Sequence, residues 1–132
     1  MNLTKRFLQA VFAAVFAIGT LVIAAAPASA SSYTIKMGAD NGMLAFEPKD
    51  LTVSAGDTVS WQINKMPPHN VVFDDGKAPD ADLAKAMSNT KMMFASGDTY
   101  DVTIPADATP GTYTYFCSPH RGAGMLGKLT IQ

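Results

Sequence analysis

Short runs of alternating apolar and polar residues, broken by glycine, proline and aspartate, fill the chain from residue 33 onward. The runs at 33–37, 58–63 and 100–104 alternate cleanly, which is the two-residue period of a half-buried strand. The run at 44–46 is short and apolar, and Glu47-Pro48 interrupts it. Residues 51–53 form another run, separated from 58–63 by the Gly56-Asp57 turn signal. Further runs at 71–73, 113–116 and 125–131 bring the expectation to about eight strands. Only 81–87 reads as a helical turn, with Asp80 placed to cap it. Residues 105–111 are a turn cluster. Short strands at close spacing, with no long helical period, predict an all-β domain: a Greek-key β-sandwich with one short helix. Repeats and low-complexity tracts are absent from residue 31 on.

The N-terminus follows a different pattern. Lys5 and Arg6 precede an almost wholly apolar run from 7 to 26, and Pro27-Ala28-Ser29-Ala30 then offers small residues at a signal peptidase's spacing. The expectation is a cleaved signal peptide over 1–30 and a single domain over 31–132. An uncleaved anchor is the rival, since about 20 apolar residues can span a bilayer. The Ala-x-Ala site, with polar Ser31-Ser32 directly after it, favours cleavage. Acids outnumber bases by 11 to 10 in the full chain, and losing Lys5 and Arg6 widens that margin. Nucleic acid is therefore not an expected partner, because it would call for a basic stripe.

One cysteine, Cys117, cannot form an internal disulfide, so in an exported chain it is reactive, intermolecular or a ligand. His120 follows three residues on and Met125 five beyond that, on a loop shaped by Pro119, Gly122 and Gly124. Those residues predict turns there rather than helix or sheet. Thiolate and thioether are soft donors and imidazole is borderline, so the set suits copper. Two His, one Cys and a weak axial Met form the electron-transfer copper site. The chain holds only one other histidine, His69, after Pro67 and Pro68, so the reading requires it. Pro68 restricts the backbone that presents this ring. Zinc is less suited, because structural zinc sites use Cys, His and carboxylate rather than thioether. A catalytic thiol paired with His120 would leave Met125 without a role.

The string Tyr-Phe-Cys-Ser-Pro-His-Arg-Gly-Ala-Gly-Met at 115–125, with Pro-His-Asn-Val-Val-Phe-Asp at 68–74 upstream, resembles the plastocyanin family of blue copper proteins. Residues 42–48, Gly-Met-Leu-Ala-Phe-Glu-Pro, resemble that family's early hydrophobic loop, and the likeness runs from about residue 33 to the C-terminus. The resemblance implies a cupredoxin-like sandwich holding one copper ion that cycles between Cu(I) and Cu(II), with His69, Cys117, His120 and Met125 as its ligands. It implies a monomeric, soluble electron carrier in the thylakoid lumen, peripheral to the membrane and without enzymatic activity. Cytochrome f would be the donor and photosystem I, or alternatively a terminal oxidase, the acceptor.

By the same resemblance, Asn70 hydrogen-bonds toward the Cys117 loop. Met43, Leu44, Met66, Pro67, Gly122, Ala123 and Gly124 form a flat docking patch beside the His120 ring. Arg121 resembles the cyanobacterial type and is a candidate for steering partners. The sequence departs from the family in its acidic runs, which are thin beside those of plant members (Asp74-Asp75, then Asp80 and Asp82), and at two single positions. Phe116 stands where Tyr is usual, which removes a hydroxyl from a second contact surface, and Met66 stands where Gly is usual, which makes the patch bulkier. A copper-binding module without redox traffic remains the second reading, and it would expose its ligands for exchange.

Overall fold

In the computed structural model, residues 29–132 are described; the leader read over 1–30 thus lies almost wholly outside the described residues. No helix among the described residues is long and apolar enough to cross a membrane. The strands are β1 (Ser32–Met37), β2 (Phe46–Glu47), β3 (Asp50–Val53), β4 (Thr58–Ile63), β5 (His69–Phe73), β6 (Asn89–Met93), β7 (Thr99–Thr103), β8 (Gly111–Phe116) and β9 (Leu126–Ile131). One α-helix, α1 (Ala81–Met87), lies between β5 and β6. Two sheets form, in the orders β2-β1-β4-β7 and β3-β9-β8-β5-β6. Parallel pairs join β1 to β4 and β3 to β9, and the other pairings are antiparallel. The all-β two-sheet sandwich with one short helix matches the expectation.

Alternation along the strands places one face of each sheet inside. β4 buries Val59, Trp61 and Ile63 and turns Thr58, Ser60 and Gln62 outward. Facing it across the core, β8 buries Tyr113 and Tyr115. Trp61 meets the rings of Tyr115 and Phe73 edge-on, at centroid distances of 5.6 and 6.0 Å. Such edge-to-face pairs are each worth about 0.5–1.5 kcal/mol beyond simple burial. Asp80 caps α1 as its side chain accepts from the N–H groups of Asp82 and Leu83; this satisfies donors the helix itself cannot.

Two details correct the sequence reading. A ninth strand, β6, pairs with the outer edge of β5. Its sequence, Asn-Thr-Lys-Met-Met, has no alternation and its side chains are half-buried or exposed, so it lacks the signal by which the other strands are read. The loop after Cys117 is a 3-10 helix, Ser118–Ala123, rather than separate turns. Proline sits at its start and Gly124 closes it in the left-handed conformation at φ 84°. Consecutive tight turns of the kind proline and glycine favour have merged into one coil.

Gly127 shows how tightly β8 and β9 are fitted. It pairs with Tyr115 across the ladder, and a Cβ there would overlap the Tyr115 ring, with Oη 2.5 Å away. Tyr115 cannot withdraw, because Phe46, Trp61 and Phe73 surround it at 4.7 to 5.6 Å. Gly127→Ala should therefore destabilise the domain by about 3 kcal/mol, the upper end of overpacking costs, measured by chemical denaturation.

Candidate metal centre

The predicted donors come from two places in the chain. His69 opens β5. Cys117 follows β8 directly, His120 lies within the 3-10 helix, and Met125 immediately precedes β9. The loop is closed by main-chain bonds: Cys117 N–H donates to the Met125 carbonyl (3.1 Å), His120 N–H to the Cys117 carbonyl (3.1 Å), and Met125 N–H to the His120 carbonyl (3.2 Å). Thus the ends of β8 and β9 hold Cys117 and Met125 side by side, and the coil between them carries His120.

The donor atoms converge. Cys117 Sγ lies 3.6 Å from His69 Nδ1 and 3.5 Å from His120 Nδ1, and the three residues' ligand atoms all fall within 4.8 Å of one another. The two imidazole rings stand 5.0 Å apart, edge to face. Cys117, His69 and Met125 are each fully buried, at 0% exposure, whereas His120 is only partly covered.

Hydrogen bonds orient these groups. His69 Nε2 lies 2.6 Å from the Lys65 carbonyl. A carbonyl oxygen only accepts, so this nitrogen carries the proton and donates, leaving the Nδ1 lone pair free toward the sulfur. Asn70 Oδ1 accepts from Ser118 N–H at 2.7 Å, while its Nδ2 donates to Ser118 Oγ and to the Thr90 carbonyl, each at 3.1 Å. One buried amide therefore ties β5, β6 and the cysteine loop together.

Burial holds the His69 imidazole below its ordinary pKa; the bond to Lys65 opposes this and nearby His120 adds to it. A neutral ring is the form that can ligate. Burial pushes the Cys117 thiol up, and the backbone N–H groups of Asn70 and His120 pull it back. The buried thiol would give up its proton on binding a metal, so binding should be tighter at higher pH. Two imidazole nitrogens and one thiolate, with a buried thioether beside them in sequence, fit copper better than a hard cation. No carboxylate joins the cluster among the described residues.

The residues expected by resemblance to flank His120 are mostly exposed. Met43 and Met66 are 62% and 58% exposed, Pro67, Gly122, Ala123 and Gly124 are exposed, and Leu44 is half-buried. Met66 adopts a left-handed backbone, φ 53°, a conformation that costs a non-glycine residue about 1–2 kcal/mol. Arg121 is exposed and its guanidinium lies over the Phe116 ring at 4.0 Å, a cation–π contact. One contributor carries no sequence signal: the Lys65 carbonyl that holds His69 Nε2 is main chain.

Comparison with known proteins gives consistent results. The family described as "Copper binding proteins, plastocyanin/azurin family" matches residues 33–132. Plastocyanin of Prochlorothrix hollandica is 50% identical over 131 residues, covering 99% of this chain and 96% of that protein. Plastocyanin of Nostoc punctiforme is 48% identical over 130 residues, covering 97% and 94%. Among solved structures, oxidised plastocyanin from Dryopteris crassirhizoma superposes with a TM-score of 0.65 at 34% identity, over 75% of this chain and 99% of that one.

The lowered His69 pKa sets a pH dependence for the metal-free protein. Below about 6.5, the ordinary histidine value, the unfolded chain takes up a proton that folded His69 resists. Stability should therefore fall as pH drops from that value toward the folded pKa. Denaturation midpoints between pH 7 and 5 check this, and His69→Gln should flatten the slope.

Proposed function

The chain belongs to the plastocyanin/azurin family of copper-binding proteins, and from that premise we propose that this blue copper electron carrier takes an electron from cytochrome f of the cytochrome b6f complex and delivers it to photosystem I. His69 Nδ1, Cys117 Sγ and His120 Nδ1 would hold the copper, with Met125 as a weak fourth donor. Copper bound there supplies a one-electron couple between Cu(I) and Cu(II). The protein's part is to present the donors in one arrangement and keep them there. Asn70 and the loop-closing bonds serve that end, and small reorganisation lowers the barrier to electron transfer.

The observation that carries this reading is the unequal burial of the ligands. Three of them are sealed while His120 alone is partly exposed, and the family resemblance would set it within an apolar rim of small and flexible side chains. Such a patch on a small protein is commonly a contact site. A transient redox contact needs little area, which favours quick release. The rim, with Leu44, Met43, Met66, Pro67 and the segment Gly122-Ala123-Gly124, is our proposed docking face. Arg121 would steer the approach, although part of its charge is engaged with Phe116. A terminal oxidase would meet the same face.

Covering of the donors counts against the other readings. A copper shuttle that hands over its ion would present its ligands to the recipient, and a thiol enzyme would present Cys117 to a substrate. Export through the 1–30 leader would place residues 31–132 in the thylakoid lumen as a monomer.

Cys117→Ser should abolish the intense visible band of the Cu(II)-loaded protein, while a variant that stays blue would overturn the ligand set. Leu44→Ala should slow reduction of flash-oxidised photosystem I several-fold and leave the visible spectrum unchanged; an unaltered rate would remove that face from the proposal.

A further inference from the structure

Asp57 stands in the turn between β3 and β4, only 5% exposed. Its Oδ1 accepts from Ser31 N–H and its Oδ2 from Ser54 N–H, each at 2.8 Å. Its own main chain is also held: Asp57 N–H donates to the Ser54 carbonyl and Ile104 N–H donates to the Asp57 carbonyl. Those bonds keep its carboxyl below the usual carboxylate range, with burial opposing. Asp57 is therefore an anion in the folded protein. Yet no ion pair among the described residues includes it. A covered carboxylate with no cation is unusual, because removing a charge from water is costly unless it is paired.

The ionisable groups on the packed elements do not supply the missing charge. Asp50 on β3, and Asp101 and Asp107 on and after β7, are exposed acids. β4 carries no ionisable side chain. Lys36 of β1 is paired with Asp40 at 2.8 Å. Gln132 bonds through its N–H to the Val53 carbonyl and brings no cation. Two nitrogens already touch the carboxylate, and of these the one of Ser31 stands where a cut would make an amino terminus. Ser31 also accepts from Thr58 N–H at 2.9 Å, and Ser32 begins the β1–β4 ladder. Ser29 and Ala30, before it, are exposed and outside any strand.

We propose that processing cuts the Ala30–Ser31 bond and that the α-ammonium group so formed is the counter-ion of Asp57. A peptidase adds one water across the bond. The Ala30 carbonyl carbon takes the oxygen and leaves as a carboxylate, and the Ser31 nitrogen is protonated to the ammonium. No atom has to move far, because that nitrogen already lies 2.8 Å from Oδ1. Removal of the leader thus converts an amide-to-carboxylate bond, charged on the acceptor side alone, into an ion pair charged on both sides. The mature domain gains stability that the precursor lacks. This rests on the leader reading over 1–30 and is independent of the copper chemistry.

The test uses copper-loaded protein exported by a host, whose first residue is read by intact mass. Its denaturation midpoint is compared with that of the same chain acetylated at the Ser31 nitrogen. Acetylation keeps an N–H for Asp57 and removes only the charge. An α-amino group paired with an anion has its folded pKa raised above the ordinary value of about 8. The benefit is therefore complete below that pH and is lost as pH rises through the folded pKa. At pH 6 the free form should unfold about 5 °C higher, and the gap should close toward pH 10. Asp57→Asn should erase the gap at pH 6. Equal midpoints for the free and acetylated forms at pH 6, or a mature chain beginning elsewhere than Ser31, would overturn the proposal and leave Asp57 as a staple of its own turn.

Discussion

Two pieces of chain separated by 48 residues must meet within a few ångströms, and the Asn70 amide is what joins them. It follows His69 on β5 and grips Ser118, the residue after Cys117, through both its oxygen and its nitrogen. Its remaining donor hydrogen reaches the Thr90 carbonyl on β6. A buried amide satisfied in this way is rigid, since breaking any bond leaves a polar group unpaired away from water. The donor cluster is therefore held by the packing of β5, β6 and β8.

The core beneath explains why this junction does not drift. β8 carries Tyr113 and Tyr115 into the interior just before it delivers Cys117. Tyr115 is locked among Phe46, Trp61 and Phe73 and lies against Gly127 of the neighbouring strand. Close-packed aromatic rings transmit displacement instead of absorbing it. A shift of the thiol would have to move a strand of each of two adjacent pairs. Rigidity at the metal end thus begins several residues away, in the layer where the two sheets meet.

Much of this was legible from residue types alone. Alternation at 58–63 and 100–104 marked β4 and β7, and Asp80 before 81–87 marked α1. The donors were conspicuous because the chain has one cysteine and two histidines. Other features were hidden for physical reasons. β6 ends its sheet and buries none of its side chains fully, so it shows no apolar face in its sequence. The proton position on His69 depends on a main-chain carbonyl, Lys65, which any residue could provide. The 3-10 coil at 118–123 uses the same Pro and Gly signals as isolated turns, and only successive hydrogen bonds distinguish the two. Met66 in a left-handed conformation runs against its residue type and could not have been inferred from it.

The partial exposure of one imidazole, set against full cover over the other donors, also means that the domain works as insulation. A small oxidant diffusing in solution meets protein from nearly every direction before it meets sulfur. On the proposed reading, discrimination among larger partners would then pass to the outer surface: whichever protein can lay a flat apolar face across a single ring edge would gain access, and whichever cannot would be kept at a distance that leakage currents do not readily cross.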